Sequence, residues 1–355
     1  MKKKILISTG GSGGHIMPAI TIQDHLNIEY DILISTDLRG LKYLQNSTHK
    51  IVIVDTPKLN NIIFLPFAFI KIFFLIIKSL FLLKKEKIEI LISTGGYMSL
   101  PLCLAAKILN IKIFLIEPNM VIGRANKFFL NFCEKIICYS KNIISFPNKF
   151  ENKLIISNPL IRKKYYEKSS KERINKLFTI MVIGGSQGAK IFDKIIHEVI
   201  VNISKIHSLR IIHQTNQKNI DFLKNYYSEN KIENNVFSFD QNLNIFLSQS
   251  DLCITRAGAS SLAELSILNI PFIAIPLPTA KDNHQLENAN YYKNKDCCWI
   301  VEQKDFYKKN FEDLLLDIMK KKDNFIKKKN NLENLNYQNT WNNVNRNLLK
   351  IINEN

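Results

Sequence analysis

Cysteine is scarce in this chain, and its spacing argues against two common kinds of site. Six cysteines occur among 355 residues, and none forms a Cys-x-x-Cys pair with another. We therefore expect no zinc site, and we interpret the six as reduced thiols of a cytoplasmic protein, in the core or at the surface. The opening MKKKILIST also lacks a signal-peptide pattern, because its basic residues lead directly into a short apolar strand that a glycine turn ends.

Acidic residues are few relative to basic ones. The chain has 49 Lys and Arg against 31 Asp and Glu, which gives a formal net charge of +18. This balance favours anionic partners such as nucleic acid, phosphorylated substrates or an anionic membrane surface, although AT-rich coding would also produce a chain rich in Lys, Asn and Ile. No helix-turn-helix signature, RNP-like aromatic strand or zinc pattern is present, and the basic residues are dispersed. We therefore expect no nucleic-acid partner.

A strand, turn and helix pattern recurs along the chain. Short β-branched runs bounded by Gly, Asp, Asn or Pro predict buried parallel strands. They lie at Ile5–Ser8, Asp31–Ile34, Ile51–Val54, Ile90–Ser93, Ile113–Ile116, Phe178–Ile183, Arg210–Gln214, Val236–Phe239, Leu252–Thr255 and Phe272–Ile275. Their alternation with stretches of helical length predicts two doubly wound α/β halves. The boundary is predicted near residues 156–171, where Pro159 precedes a charged stretch, and terminal helices are predicted from about residue 311.

Four apolar runs end in small, mostly glycine-rich turns that open into helical patterns, within residues 5–20, 89–109, 178–196 and 251–268. Such turns present backbone N–H groups at a helix N-terminus, which is a common way to bind phosphate. Neither the first turn, GGSGGH, nor the third, GGSQGAK, has the spacing of a dinucleotide fingerprint or a P-loop. Two such turns in matching positions of two halves favour a phosphate or diphosphate ligand, and the alternative is a purely structural turn.

Three further features suit a sugar-nucleotide ligand. His15 follows the first turn at a helix start, where it could act as a general base or be structural. Glu264 lies one or two turns into the helix after residues 256–261, where it could accept two ribose hydroxyls or be an ordinary surface residue. The segment 276–285, PLPTAKDNHQ, is either a hydrogen-bonding loop for sugar hydroxyls or an ordinary polar loop.

The stretch 62–83 is almost wholly apolar and long enough to span a bilayer. Lys71 and Lys78 lie inside it, seven residues apart and therefore on one helix face, and Lys84, Lys85 and Lys87 follow. A charged face opposite Phe, Leu and Ile favours a helix lying in a membrane interface. The alternatives are a buried core helix and a membrane span.

With these motifs in place, the chain resembles the MurG family, the peripheral membrane glycosyltransferases that make lipid II of bacterial peptidoglycan. The resemblance covers nearly the whole chain. It rests on GGSGGH at 10–15, STGGYMSLP at 93–101, IEPNMVIGRANK at 116–127, SNP at 157–159, GGSQGA at 184–189, TRAGASSLAE at 255–264 and PLPTAKDNHQ at 276–285.

The resemblance implies a GT-B fold, with two Rossmann-like domains that have parallel sheets and face a central cleft. It implies an acceptor and membrane-binding domain at 1–157, a UDP-GlcNAc-binding domain at 158–340, and a C-terminal helix at 341–355 that returns to the first domain. The implied reaction moves N-acetylglucosamine from UDP-GlcNAc to the 4-hydroxyl of the muramoyl sugar of lipid I with inversion. Neither a cofactor nor a metal ion is implied, and the expected location is the cytoplasmic face of the inner membrane, on an anionic surface.

The resemblance also assigns roles to residues. His15 is the implied base, Ser12, Gly13 and Gly14 border the donor sugar and diphosphate, and Tyr97 and Glu117 line the acceptor side. The implied donor contacts are Asn119 and Gln285 to GlcNAc, Ser186 to the phosphates, Phe239 and Asp240 to uracil, and the helix start formed by Ala259, Ser260, Ser261, Leu262, Ala263 and Glu264, with Glu264 on the ribose.

The sequence departs from the family pattern in three places. Ser157 replaces a glycine, and Arg162, the implied donor-site cation, comes one residue late. His284 replaces the first of two glutamines, and Pro118 removes an N–H donor between Glu117 and Asn119. The alternative functions are another GT-B enzyme, such as a diacylglycerol glycosyltransferase or a UDP-GlcNAc 2-epimerase, and a non-catalytic nucleotide-sugar-binding scaffold at the membrane.

Overall fold

The computed structural model describes residues 2–44, 50–57, 65–167, 177–185, 190–240 and 242–354. The strands are β1 Lys4–Ser8, β2 Asp31–Thr36, β3 Ile51–Ile53, β4 Ile90–Ser93, β5 Lys112–Glu117, β6 Lys135–Cys138, β7 Leu154–Ile156, β8 Phe178–Ile183, β9 Leu209–Gln214, β10 Glu233–Phe237, β11 Leu252–Thr255, β12 Phe272–Ala274 and β13 Cys298–Ile300.

The α-helices are α1 Gly13–Leu26, α2 Leu38–Leu41, α3 Leu65–Lys85, α4 Leu100–Ile108, α5 Arg124–Phe129, α6 Lys190–Ser204, α7 Ile220–Glu229, α8 Leu243–Ser248, α9 Ala259–Ile267, α10 His284–Lys293, α11 Lys308–Lys320, α12 Lys322–Asn336 and α13 Trp341–Glu354. Short 3-10 helices lie at Tyr97–Ser99, Asn148–Lys153, Lys163–Tyr165, Gln217–Asn219 and Lys281–Asn283.

The chain forms two compact units. Unit 1 comprises Met1–Lys163 and Trp341–Asn355, and unit 2 comprises Lys164–Thr340. In unit 1 the described strands form a parallel sheet in the order β3-β2-β1-β4-β5-β6-β7. In unit 2 they form a parallel sheet in the order β10-β9-β8-β11-β12-β13. Both orders reverse at the first strand of the unit, and the crevice beyond the carboxyl ends of the strands at such a point is where α/β folds bind ligands.

The predicted parallel sheets are confirmed, and the strand list needs correction. The structure adds β6 and β13 to the ten predicted strands, forms β7 from the strand-like run LII beside the predicted boundary, and ends β10 at Phe237. Phe239 and Asp240 therefore follow that strand. The central strands do not alternate apolar and polar residues because both of their faces are buried, as in Ile5, Leu6 and Ile7 of β1, which are each 0% exposed.

All six cysteines are buried free thiols.

Helix α3 is neither a fully buried core helix nor exposed all round. One face packs on α4 and buries Ala68, Ile72, Ser79 and Leu83, which recur at helical spacing. The opposite surface exposes large apolar side chains at Phe67, Phe69, Ile70, Phe73, Phe74 and Phe81. Lys71, Lys78, Lys84 and Lys85 are exposed beside them. Because Lys71 and Lys78 alternate with Phe67, Phe74 and Phe81 at helical spacing, the predicted charged face opposite the apolar one is wrong. Among the described residues, Pro66–Lys85 is the segment whose length and composition would suffice to cross a membrane, and residues 62–64 of the predicted stretch lie outside the described part.

The last helix, α13, docks on α1 within unit 1. Its buried positions Val344, Leu348, Ile351 and Ile352 form one helical stripe. Trp341 stacks on the His25 ring with 3.6 Å between centroids, and the Tyr30 hydroxyl donates to Asn353 Oδ1 at 2.5 Å. The ring stack and the hydrogen bond from Tyr30 thus supplement the apolar stripe.

Candidate functional site

In unit 1 the loops after β1, β2 and β4 meet at the carboxyl edge of the sheet. We call the following residues of these loops and of the start of α1 the glycine-loop site: Gly10–His15, Asp37, Arg39 and Thr94–Tyr97. Gly11 has a φ of +80° and Gly96 a φ of +84°, which side chains rarely adopt. A Cβ at Gly96 would lie 2.4 Å from Met98 Sδ and 3.6 Å from His15 Nε2. Met98 Sδ thus fills the position that a side chain at residue 96 would need, so only glycine fits here, close to the His15 ring.

His15 has a defined tautomer. Its Nδ1 lies 2.7 Å from the Thr94 carbonyl oxygen, and a carbonyl can only accept, so Nδ1 carries the hydrogen. Nε2 of the neutral ring is then an acceptor, which is the state a general base requires. The ring is partly buried in the first turn of α1. Gly13 and Gly14 precede His15 in this turn, and Ser12 is the N-cap of the helix.

Asp37 holds the first glycine turn in place. Its Oδ1 accepts from Gly11 N at 2.8 Å and Gly40 N at 2.9 Å, and its Oδ2 accepts from Arg39 Nε at 2.9 Å. Burial alone would raise the pKa of this carboxyl, but the hydrogen bonds from Gly11, Arg39 and Gly40 outweigh it and hold the pKa below its usual value. Arg39 also donates from Nη2 to the Tyr97 hydroxyl, which connects the loops after β2 and β4.

Glu117 organises the loop after β5. It is 2% exposed, and its Oε1 accepts from Asn119 N at 3.2 Å and Asn119 Nδ2 at 3.0 Å. Its Oε2 accepts from Gly123 N at 2.7 Å and Asn126 Nδ2 at 2.9 Å. The carboxylate thus shapes residues 118–123 and the start of α5, and its predicted contact with the acceptor stays a prediction.

In unit 2 the loop after β8 contains Gly184 and Gly185, and helix α6 begins at Lys190. The predicted phosphate residue Ser186 lies outside the described residues. The loop after β11 leads to α9, where Gly258 is the N-cap with extended backbone at φ −70° and ψ 135°. This is the helix start that the sequence predicts for nucleotide binding, with its first N–H groups unpaired within the helix.

The side chains of α9 have different environments. Ala259, Ser260 and Ser261 are partly exposed on its first turn, whereas Leu262 and Ala263 are buried in the core. Leu262 and Ala263 therefore contribute to packing, and any ligand contact they make would come from the backbone. Glu264 is only 7% exposed, so the alternative of an ordinary surface glutamate does not describe it.

Arg256 stabilises this loop. Its Nη1 donates to the carbonyls of Ile275 at 3.0 Å and Pro276 at 3.2 Å, and its Nη2 donates to Gln303 Oε1 at 2.7 Å. Burial lowers the pKa of the guanidinium. These bonds hold the carboxyl ends of β11 and β12 together, and Asn288 Nδ2 adds a bond to Ala257 O at 3.2 Å.

The remaining predicted donor residues lie as follows. Gln285, at the start of α10, accepts through Oε1 from Leu277 N at 3.0 Å, and its predicted contact with the sugar stays a prediction. Phe239 is 66% exposed, and Asp240 Oδ1 accepts from Asn242 N. Arg162 belongs to unit 1 and is partly exposed.

Sequence reasoning did not assign a role to Asp37, Arg39 or Thr94. An acidic residue directly after a buried parallel strand was the available signal for Asp37, since that edge of the sheet binds ligands. Thr94 acts through its carbonyl, which no side-chain pattern reports. Within the described part of the chain, no group of three or more His, Cys, Asp or Glu side chains could hold a metal ion.

Comparison with known proteins identifies the family. The model of the glycosyltransferase family 28 N-terminal domain matches residues 5–138, and that of the C-terminal domain matches residues 179–340. A relative from Pelagibacter ubique is 48% identical, with 100% of both chains covered. Its name is UDP-N-acetylglucosamine–N-acetylmuramyl-(pentapeptide) pyrophosphoryl-undecaprenol N-acetylglucosamine transferase. The chain belongs to this family of glycosyltransferases.

Solved structures support the fold of the transferase. Acinetobacter baumannii MurG matches with a TM-score of 0.78 at 21% identity, covering 100% of both chains. The UDP-GlcNAc 2-epimerase of Neisseria meningitidis, solved bound to UDP-GlcNAc, matches with a TM-score of 0.66 at 13% identity, covering 99% and 100%. The predicted GT-B fold class is confirmed, and the presence of an epimerase in this fold means that the fold alone does not determine the reaction.

Proposed function

We propose that the transferase moves GlcNAc from UDP-GlcNAc to the 4-hydroxyl of the N-acetylmuramoyl sugar of lipid I and so forms lipid II. The identity of 48% over the full length to the Pelagibacter enzyme supports these substrates. The observation that carries the chemistry is the His15 ring, whose Nδ1 is bonded to Thr94 O at 2.7 Å, so that Nε2 is the acceptor nitrogen.

The proposed reaction is a direct displacement. His15 Nε2 takes the proton of the acceptor 4-hydroxyl as its oxygen attacks the anomeric carbon of GlcNAc. The bond from that carbon to the diphosphate breaks, the electron pair leaves on the UDP oxygen, and the anomeric centre inverts. The Nδ1–H of the resulting imidazolium remains bonded to the Thr94 carbonyl, which stabilises the positive charge and keeps the ring oriented.

Unit 2 would hold the donor. Charge that develops on UDP would meet the backbone N–H groups at the starts of α6 and α9, which need no reorganisation during the reaction. Glu264 would accept hydrogen bonds from the ribose hydroxyls, and Gln285 would form hydrogen bonds with the GlcNAc hydroxyls. Phe239 and Asp240 would flank uracil. Binding energy from these remote contacts would hold the anomeric carbon in line.

The outer face of α3 would place the transferase on the membrane that carries its acceptor. Phe67, Phe74 and Phe81 are 71%, 64% and 72% exposed, a cost in water that insertion among acyl chains would offset. The flanking lysines favour anionic headgroups. This exposed face supports a peripheral membrane location, which we propose is the cytoplasmic face of the inner membrane.

The test is transfer of radiolabelled GlcNAc from UDP-GlcNAc to a lipid I analogue, with diacylglycerol as the control acceptor. We expect labelled disaccharide lipid and stoichiometric UDP with lipid I only. Label on diacylglycerol would identify a glycerolipid transferase, and UDP-ManNAc formed without acceptor would identify an epimerase. UDP binding without release of UDP when lipid I is added would indicate a non-catalytic scaffold.

A further inference from the structure

The glycine-loop site contains a cation, Arg39, that has no role in the proposed reaction. The Arg39 side chain is 43% exposed, and its Nε and Nη2 are held by the Asp37 carboxylate, with Nη2 lying 2.7 Å from Oδ2. Nη2 also donates to the Tyr97 hydroxyl, and the guanidinium lies 5.4 Å from the Tyr97 ring centroid. A side chain of this length is therefore held in one orientation at an open surface.

The remaining edge of the guanidinium is available for an anion. Within the described residues Nη1 has no hydrogen-bond acceptor, although it is part of a planar donor group suited to phosphate. Nη2 would lie 3.3 Å from a Cβ built on Gly11. The guanidinium is thus beside the glycine turn.

Asp37 orients this cation without fully neutralising it. The same carboxylate accepts from Gly11 N and Gly40 N, so part of its charge is already satisfied by backbone donors. Its side chain is 2% exposed, which places the negative group behind the arginine and the positive group toward solvent. A second carboxylate, Asp55, also interacts electrostatically with Arg39; its side chain is 45% exposed and pairs with Lys71 at 3.6 Å.

We propose that Arg39 binds the pyrophosphate of the acceptor lipid, with Asp37 and Tyr97 as its positioning residues. The proposal rests on the proposed function, in which the acceptor is a pyrophosphoryl-undecaprenol sugar. A hexopyranose carries its 1- and 4-oxygens on opposite sides of the ring. Holding the 1-pyrophosphate at Arg39 therefore directs the 4-hydroxyl away from the guanidinium, into the part of the glycine-loop site that contains His15.

The test compares Arg39→Gln and Arg39→Lys with the wild-type enzyme in steady-state transfer. A hydrogen bond to a charged group contributes about 1.5–3 kcal/mol, so Arg39→Gln should raise the KM for lipid I by roughly 10- to 100-fold. The KM for UDP-GlcNAc should stay within about twofold of the wild-type value. Arg39→Lys should recover part of the loss, because lysine keeps the positive charge but lacks the planar guanidinium that donates two parallel hydrogen bonds. Lys42→Gln, a neighbouring exposed cation that lies over the Tyr43 ring, is the matched control.

A second acceptor, with a neutral linker in place of the pyrophosphate, separates this role from a structural one. Wild type and Arg39→Gln should use the neutral acceptor with similar KM values. An equal loss on both acceptors, or a raised KM for UDP-GlcNAc, would overturn the assignment. Failure of the wild-type enzyme to transfer to either acceptor would instead contradict the proposed function.

Discussion

His15 donates its Nδ1 hydrogen to the carbonyl oxygen of Thr94 across 2.7 Å, and this single bond selects which ring nitrogen can act as a base. Thr94 directly follows β4, and His15 belongs to the helix after β1. The pairing of β1 with β4 in the parallel sheet brings the two together. The tautomer of His15 is therefore a consequence of strand order.

Replacement of His15 by Ala should lower the turnover number by roughly 10²- to 10⁴-fold, because general base catalysis supplies that range. Affinity for UDP should be retained, since the change removes a side chain from unit 1. The measurement is lipid II formation at saturating substrates, with UDP binding by calorimetry as the control for folding. A turnover number near that of the wild type would remove His15 from the role of base.

Replacement of Glu264 by Ala should weaken UDP binding by roughly 10- to 100-fold, the range for lost hydrogen bonds to a charged acceptor. Glu302→Ala is a suitable control, because that side chain is 50% exposed and pairs only with Lys304 among the described ion pairs. Calorimetric titration with UDP measures both. Equal affinities for the Glu264 variant and the wild-type protein would contradict a ribose contact.

Replacement of Phe73, Phe74 and Leu75 by Ser should reduce binding to anionic vesicles, since Phe73 and Phe74 are 60% and 64% exposed on α3. Soluble UDP binding should survive. The control replaces Ile206 and Phe222 of unit 2, which are 63% and 55% exposed. Co-sedimentation with vesicles at low salt is the measurement, and undiminished binding of the α3 variant would show that this face is not the anchor.

His25 should make the stability of unit 1 depend on pH. It is 2% exposed, and burial lowers its pKa from 6.5 to about 4, against a smaller opposing effect of the bond to Asn345. Between these two pH values the unfolded chain binds a proton that the folded protein excludes. Stability is therefore complete above pH 6.5 and falls as the pH is lowered toward 4, by up to about 3 kcal/mol.

The variant that tests this dependence is His25→Phe, which keeps a ring against Trp341 and has no titratable group. Urea denaturation at pH 8 and pH 5 gives the free energy of unfolding for the variant and the wild-type protein. Other titrating groups contribute to both proteins, so the difference isolates His25. An identical loss of stability between the two pH values in both proteins would show that His25 does not titrate in this window.

Much of the fold could be predicted from the sequence because the central strands are short β-branched runs that end at glycine turns. Ile90–Ser93 and Leu252–Thr255 have the predicted bounds. The strand Cys298–Ile300 has three residues and lacks a glycine turn after it, so pattern alone did not reveal it. These residues form a strand because they pair with β12, and that pairing is a tertiary contact.

The sequence by itself determined the alternation of strands and helices, the glycine turns, the presence of His15 at a helix start and that of Glu264 within a helix, because hydrophobic period and turn chemistry are local properties. Only the tertiary structure decided that Asp37, Arg39 and Tyr97 form one group, that Thr94 orients His15, and which face of α3 is exposed. These relationships join residues far apart in the chain, and they arise from the order in which parallel strands pair and from the packing of helices on the sheet.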